Sequence, residues 1–279
     1  MTSVVITGAR YLTHPEQADR HGPFEKTFLA EGDSWMDASA AAQGSLPYYL
    51  TQEFNKRGKT HLIINISTSG QTLRRITQTM RGDLVWWLAQ LPYDAVLFSA
   101  GGNDFIDAAR DPGPGLGLLR DMQGQPLPPD GAACLRQDAL RQLVDDYLAP
   151  NFAAIYDALR ASPRNAATPL LLNGYDTPVA RDAPAIPGLV GPWLYAAYRK
   201  NHIDPSLWPA LTAAVFAAIT AALGGWQAGR TGVALVPTTG VLTPAAPGST
   251  GSSGDWKNEI HPNASGWRKL ARLWADRLA

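Results

Sequence analysis

Two segments far apart in the chain carry residues that could do chemistry together. Gly32-Asp33-Ser34-Trp35 follows Lys26-Thr27-Phe28-Leu29-Ala30-Glu31, which reads as a short buried strand. Asn258-Glu259-Ile260-His261-Pro262 places an imidazole just ahead of a carboxy-terminal helical pattern. A serine hydroxyl is a weak nucleophile at its free pKa and needs an adjacent base. Histidine can take that proton and return it to a leaving alcohol. The reaction such a pair serves is acyl transfer, whose developing oxyanion needs aimed donors, each worth about 3–4 kcal/mol. The Ser34 amide, the Gly70 amide and the Asn103 side chain are the candidates. Gly70 suits the task because a missing Cβ lets backbone approach a ligand closely. The same residues admit plainer roles. Ser34 could cap a helix, and Asn103, after Gly101-Gly102, could bond its own backbone in a turn.

The elements that must position these residues alternate short apolar runs with longer helical patterns, the sign of βαβ units. Strands are predicted at Thr27–Ala30, His61–Ile66, Ala95–Ser99, Pro169–Asn173 and Val233–Pro237. Their interiors lack clean alternation, as expected where both faces of a parallel sheet are covered. Helices are predicted at Leu46–Arg57, Leu73–Leu91 with a break at Gly82, Leu135–Leu159, Ser206–Leu223 and Ala264–Leu278. Asn263 or Ser265 would cap the last of these. In an open α/β sheet the serine, glycine and asparagine segments would all lie at carboxyl ends of strands, where ligands bind.

The chain has 279 residues, 45% hydrophobic and 17% charged, enough for a sizeable core. We read one domain over 1–279, with irregular insertions near 111–131 and 176–205. Net charge is zero, which removes the electrostatic case for nucleic acid or an anionic membrane. Cys134 is the only cysteine, so no internal disulfide can form. With no apolar leader in Met1–Leu12, a cytoplasmic location is expected. Leu211–Leu223 is read as a buried helix, too short to span a bilayer. Neither phosphate-binding glycine motif is present, and His14 and His21, with Glu16 and Asp19, match no zinc signature. No cofactor or metal is expected, and the partner would be a small-molecule ester. Trp193, Tyr195, Tyr198 and Trp208 could form a lid or acyl pocket, or a satellite hydrophobic cluster.

Gly32-Asp33-Ser34, Gly70, Gly102-Asn103-Asp104 and His261-Pro262 together resemble the four sequence blocks of the SGNH hydrolases, also called GDSL-type esterases and lipases. They stand in the family's order over residues 27–279. Trp35, Gly174-Tyr175-Asp176, Gly191-Pro192-Trp193-Leu194 and Asp255-Trp256 are similar to a bacterial intracellular subgroup. The resemblance implies a flavodoxin-like three-layer αβα sandwich with a five-stranded parallel sheet. It implies Ser34 as nucleophile, His261 as base, and Ser34, Gly70 and Asn103 as the oxyanion hole of an ester hydrolase. An acyltransferase or carbohydrate deacetylase would use the same pair. One position departs from the pattern: the family's aspartate three residues before the histidine is Asn258 here. Asp255, behind the flexible Gly251–Gly254 stretch, is expected to fold back as the third catalytic member. Asn258 or a backbone carbonyl are the alternatives, and a catalytically dead binding protein is the reading the asparagine motivates.

Overall fold

The computed structural model describes residues 1–37, 44–111 and 113–279. Pro112, inside the predicted insertion at 111–131, lies outside them. Six strands form one sheet: β1 (Val4–Thr7), β2 (Lys26–Gly32), β3 (His61–Asn65), β4 (Ala95–Ser99), β5 (Leu170–Asn173) and β6 (Val233–Val236). All neighbouring pairs are parallel, in the order β1-β3-β2-β4-β5-β6. The expected count of five strands is therefore corrected to six. The added strand is Val4-Val5-Ile6-Thr7, a β-branched run that pairs with β3 at the sheet edge and is only half-buried.

Strands β4 and β5 are buried along their whole length, which explains their continuous apolar runs. Helices flank the sheet. They are α1 (Gly8–Thr13), α2 (Glu16–Asp19), α3 (Leu46–Lys56), α4 (Arg81–Gln90), α5 (Gly102–Arg110), α6 (Gln137–Arg141), α7 (Ala149–Arg160), α8 (Leu194–Lys200), α9 (Trp208–Gln227) and α10 (Ala264–Leu278). Helix α10 packs on α3, while α7 touches both α4 and α9. The predicted helix 73–91 breaks at Met80, between a π-helical turn (Arg75–Thr79) and α4, and not at Gly82. The predicted helix 135–159 is realised as α6, a second π-helical turn (Gln142–Leu148) and α7 in succession.

Helix α9 differs from its sequence reading. With the preceding 3-10 turn it extends over Pro205–Gln227, long and apolar enough to cross a membrane by length and composition alone. Its Leu211, Val215, Phe216, Ile219, Leu223 and Trp226 are buried in this fold, and Trp226 stacks on Phe152 at 4.2 Å.

Successive connections leave β2 and β4 in opposite directions: β2 leads to β3 on one side, and β4 leads to β5 on the other. That reversal opens a crevice beyond the carboxyl ends of β2 and β4, the usual ligand position in such sheets. The two strands approach closely there. Gly32 has φ +141°, and a Cβ on it would sit 2.1 Å from the Ser99 carbonyl oxygen. Only glycine fits the position.

Candidate active site

Ser34 sits on the turn leaving β2, and the turn is fastened from beneath. The Asp33 carboxylate is buried and accepts hydrogen bonds from the Trp35 amide (3.0 Å), the Ser99 hydroxyl (2.9 Å) and the Tyr175 hydroxyl. Burial pushes its pKa up to about 6 against the lowering effect of these donors. Trp35 is buried, its ring edge-on to Tyr175 (5.1 Å) and Trp267 (5.5 Å), so the residue after the serine anchors the turn in the core.

The segment after β3 is tied to this turn. The Thr68 amide donates to the Gly32 carbonyl (3.0 Å), the Asn65 side chain to the Met36 carbonyl (2.8 Å), and the Ser69 amide and hydroxyl to Asp37 (2.8 and 2.9 Å). Gly70 follows on the exposed rim with φ +74°, a conformation glycine adopts without strain. Asn103 lies in the first turn of α5 and lines the same narrow cleft as Ser34. One of its two amide hydrogens goes to the Gln71 carbonyl (2.9 Å), which joins the Gly70 turn to the Asn103 turn. A second hydrogen remains for a ligand. Among the described residues, the Ser34 and Gly70 amides have no acceptor within the protein.

His261 comes from the opposite end of the chain, yet its Nε2 lies 2.8 Å from Ser34 Oγ. Both side chains are buried, at 3% and 7% exposure. Burial, aided by the positive charge of Lys257, pushes the imidazole pKa down to about 4, so the ring is neutral at physiological pH. Trp193 lies edge-on against it at 5.5 Å and helps exclude water.

The third position is a correction. Asp255 does not reach His261. Its carboxylate accepts from the Thr243 amide (2.7 Å) and the Lys269 ammonium (2.5 Å). Although burial raises its pKa, those donors outweigh the effect and hold it near 2. The atom beside His261 Nδ1 is Asn258 Oδ1, at 3.0 Å. The same oxygen accepts the Ile260 and His261 amides (3.1 and 2.9 Å), an Asx-type turn that folds residue 258 back onto residue 261. The two backbone donors fix which end of the amide faces inward. They also set the tautomer: Nδ1 carries the proton and Nε2 is free to accept from Ser34. The Asn258 Nδ2 is buried without a partner.

Sequence reasoning left unread what holds this loop. The Glu259 carboxylate is buried and gathers the backbone amides of Arg181 (3.1 Å), Trp193, Leu194 (2.9 Å) and Tyr195 (2.7 Å). Burial nonetheless pushes its pKa up to about 7. The Arg181 guanidinium donates to the Asn258 carbonyl at 2.6 Å. A buried acid two residues from a candidate base was the available signal. Asp255→Asn is expected to leave kcat within about threefold and its pH dependence unshifted. The loss of the Lys269 contact should cost about 1 kcal/mol, or roughly 2–4 °C in Tm. Steady-state kinetics and a thermal melt check both.

A serine–imidazole pair at a strand-end crevice is the arrangement of an acyl-transfer site. A model of the GDSL-like lipase/acylhydrolase family matches residues 30–269. The chain belongs to this family. As a GDSL-like hydrolase it is an ester-hydrolysing enzyme.

Solved structures superpose on this GDSL-like chain at low identity. Lip_vut3, a lipase from a goat rumen metagenome, superposes with a TM-score of 0.53 at 11% identity, covering 91% of this chain and 100% of its own. A protein described as a GDSL-like lipase from Parabacteroides merdae gives 0.50 at 12%, covering 92% and 97%. Axe2, an acetyl xylan esterase from Geobacillus stearothermophilus, gives 0.47 at 14%, covering 92% and 95%. A sequence search among curated proteins found no match.

Proposed function

We propose that the chain is a serine carboxylic ester hydrolase working through an acyl-enzyme. The observation that carries this reading is the 2.8 Å contact between His261 Nε2 and Ser34 Oγ. Ser34 Oγ attacks the ester carbonyl while Nε2 takes its proton. The Ser34 and Gly70 amides and the free Asn103 amide hydrogen receive the developing oxyanion. His261 then protonates the leaving alcohol, and a water activated by the same imidazole releases the acid. Asn258 Oδ1 orients the ring throughout, in the place of the carboxylate expected from Asp255. An amide oxygen fixes the tautomer but carries no full charge to balance the imidazolium, so the donors around the oxyanion bear more of the stabilisation.

A fluorophosphonate probe tests the reading without assuming a substrate. It should modify one residue, Ser34, and labelling should vanish in Ser34→Ala and fall steeply in His261→Ala. Labelling elsewhere, or unchanged labelling in His261→Ala, overturns it.

A further inference from the structure

Beside the Ser34 cleft lies a larger cavity of about 940 Å³. Asp176 and Pro178 line both, which places the two next to each other. The size falls within the range of small-molecule sites, about 300–1,000 Å³. Its walls come from the residues after β5, from the start of α9, and from the long segment that follows β6. Tyr195 and Trp208, ring centroids 5.4 Å apart and nearly perpendicular, form one side. Pro178, Val179, Leu242 and Ala245 supply much of the rest.

The polar side chains buried along this groove are turned to the protein and not to the cavity. The Asp176 carboxylate accepts the amides of Thr177 (2.8 Å), Gly240 (2.7 Å) and Leu242 (2.6 Å). The Arg181 guanidinium is spent on the carbonyls of Ser249 (3.1 Å), Gly251 and Asn258 (2.6 Å). Thr212 pairs with the Tyr198 hydroxyl at 3.0 Å. Arg181 Nε is itself buried, without a partner. Thr177, Asp182, Thr239 and Thr250 also line the groove, the last three on its solvent-exposed side. Against the walls of Pro178, Val179, Leu242 and Ala245 a sugar hydroxyl would be buried unpaired, which weakens binding. Each methylene buried strengthens it about fourfold.

We infer that this groove is the subsite for an aliphatic chain of the substrate, making the enzyme selective for apolar esters over acetylated carbohydrates. The inference rests on the hydrolase reading for its chemistry, because the chain would extend past Asp176 and Pro178 from an ester held at Ser34. Val179 is half-buried and lines the groove away from the reacting groups. A bulky or polar side chain there should spoil chain binding by two different physical routes.

The test compares 4-nitrophenyl octanoate with 4-nitrophenyl acetate in the wild type, Val179→Trp and Val179→Ser. The wild type should favour octanoate in kcat/KM by about tenfold or more, and both variants should lower that ratio about tenfold. A second measurement needs no turnover: calorimetric titration of Ser34→Ala protein with methyl octanoate, repeated in the Val179→Trp background, should show about tenfold weaker binding in the latter. An unchanged ratio in both variants, no binding of methyl octanoate, or a wild-type preference for acetylated xylobiose overturns the inference. Binding of methyl octanoate without turnover of any ester would sink the hydrolase reading and leave the groove standing.

Discussion

Ser34→Ala and His261→Ala should each lower kcat by about 10⁴- to 10⁶-fold, and the double variant should be no more than a few-fold worse than either. The expectation follows from a shared proton. Without the imidazole the hydroxyl stays protonated, and without the hydroxyl the imidazole has nothing to activate, so the second deletion removes what the first already disabled. The residue left over comes from binding and from the donors at Ser34, Gly70 and Asn103. Single-turnover kinetics with 4-nitrophenyl acetate would measure it. If the two losses multiply in the double variant, the side chains act independently, and their 2.8 Å contact is not the reacting one.

The second large effect lies in the pH profile. General-base catalysis needs the neutral ring, and burial holds the His261 pKa down to about 4. The kcat/KM of the wild type should therefore stay level from neutrality to about pH 5 and fall by half near its pKa. Asn258→Asp places a carboxylate beside Nδ1, where an opposite charge raises a histidine pKa by about 1–3 units. The acid limb should move up by that amount, to about pH 5–7. The exchange sacrifices no hydrogen bond: aspartate keeps the acceptor for Ile260, His261 and the imidazole, and it removes the Nδ2 that has no partner. An unmoved limb would mean that residue 258 does not govern the ring.

The sign of the stability changes favours reading that limb on folded protein. Asp33, Asp104 and Glu259 have pKa values pushed up by burial to about 6, 7 and 7. They take up protons in the folded chain at higher pH than in the unfolded one. Their contribution to stability therefore grows as pH falls from about 7 towards 4. His261 acts oppositely over the window between its ordinary pKa and about 4, because the unfolded chain protonates it first.

Much of this site was legible because its chemistry sits in short local patterns. Ser34 and Asn103 each follow a turn signal at the end of an apolar run, His261 stands between a flexible stretch and a helical pattern, and β4 was read to the residue at both ends. What failed was direction. Asp255 and Asn258 both precede His261 by a few residues, and composition cannot say which turns inward. The decision rests on an Asx-type turn that wraps 258 onto 261 and on Lys269, one turn into α10, which draws Asp255 away. Asn-x-x-His was the readable form of that turn. Strand β1 escaped notice because four residues at an edge carry little periodicity. Helix α5 escaped because Gly101-Gly102-Asn103 reads as a turn and is one, with the helix starting inside it at Gly102.

The carboxylate of Glu259 has a consequence for anyone altering this enzyme. The backbone it grips at Tyr195 also carries a ring that walls the large groove. Selectivity and protonation are thus mechanically joined. A library aimed at chain-length preference will also drift in its acid limb, because reshaping that wall retunes the imidazole it helps to seat.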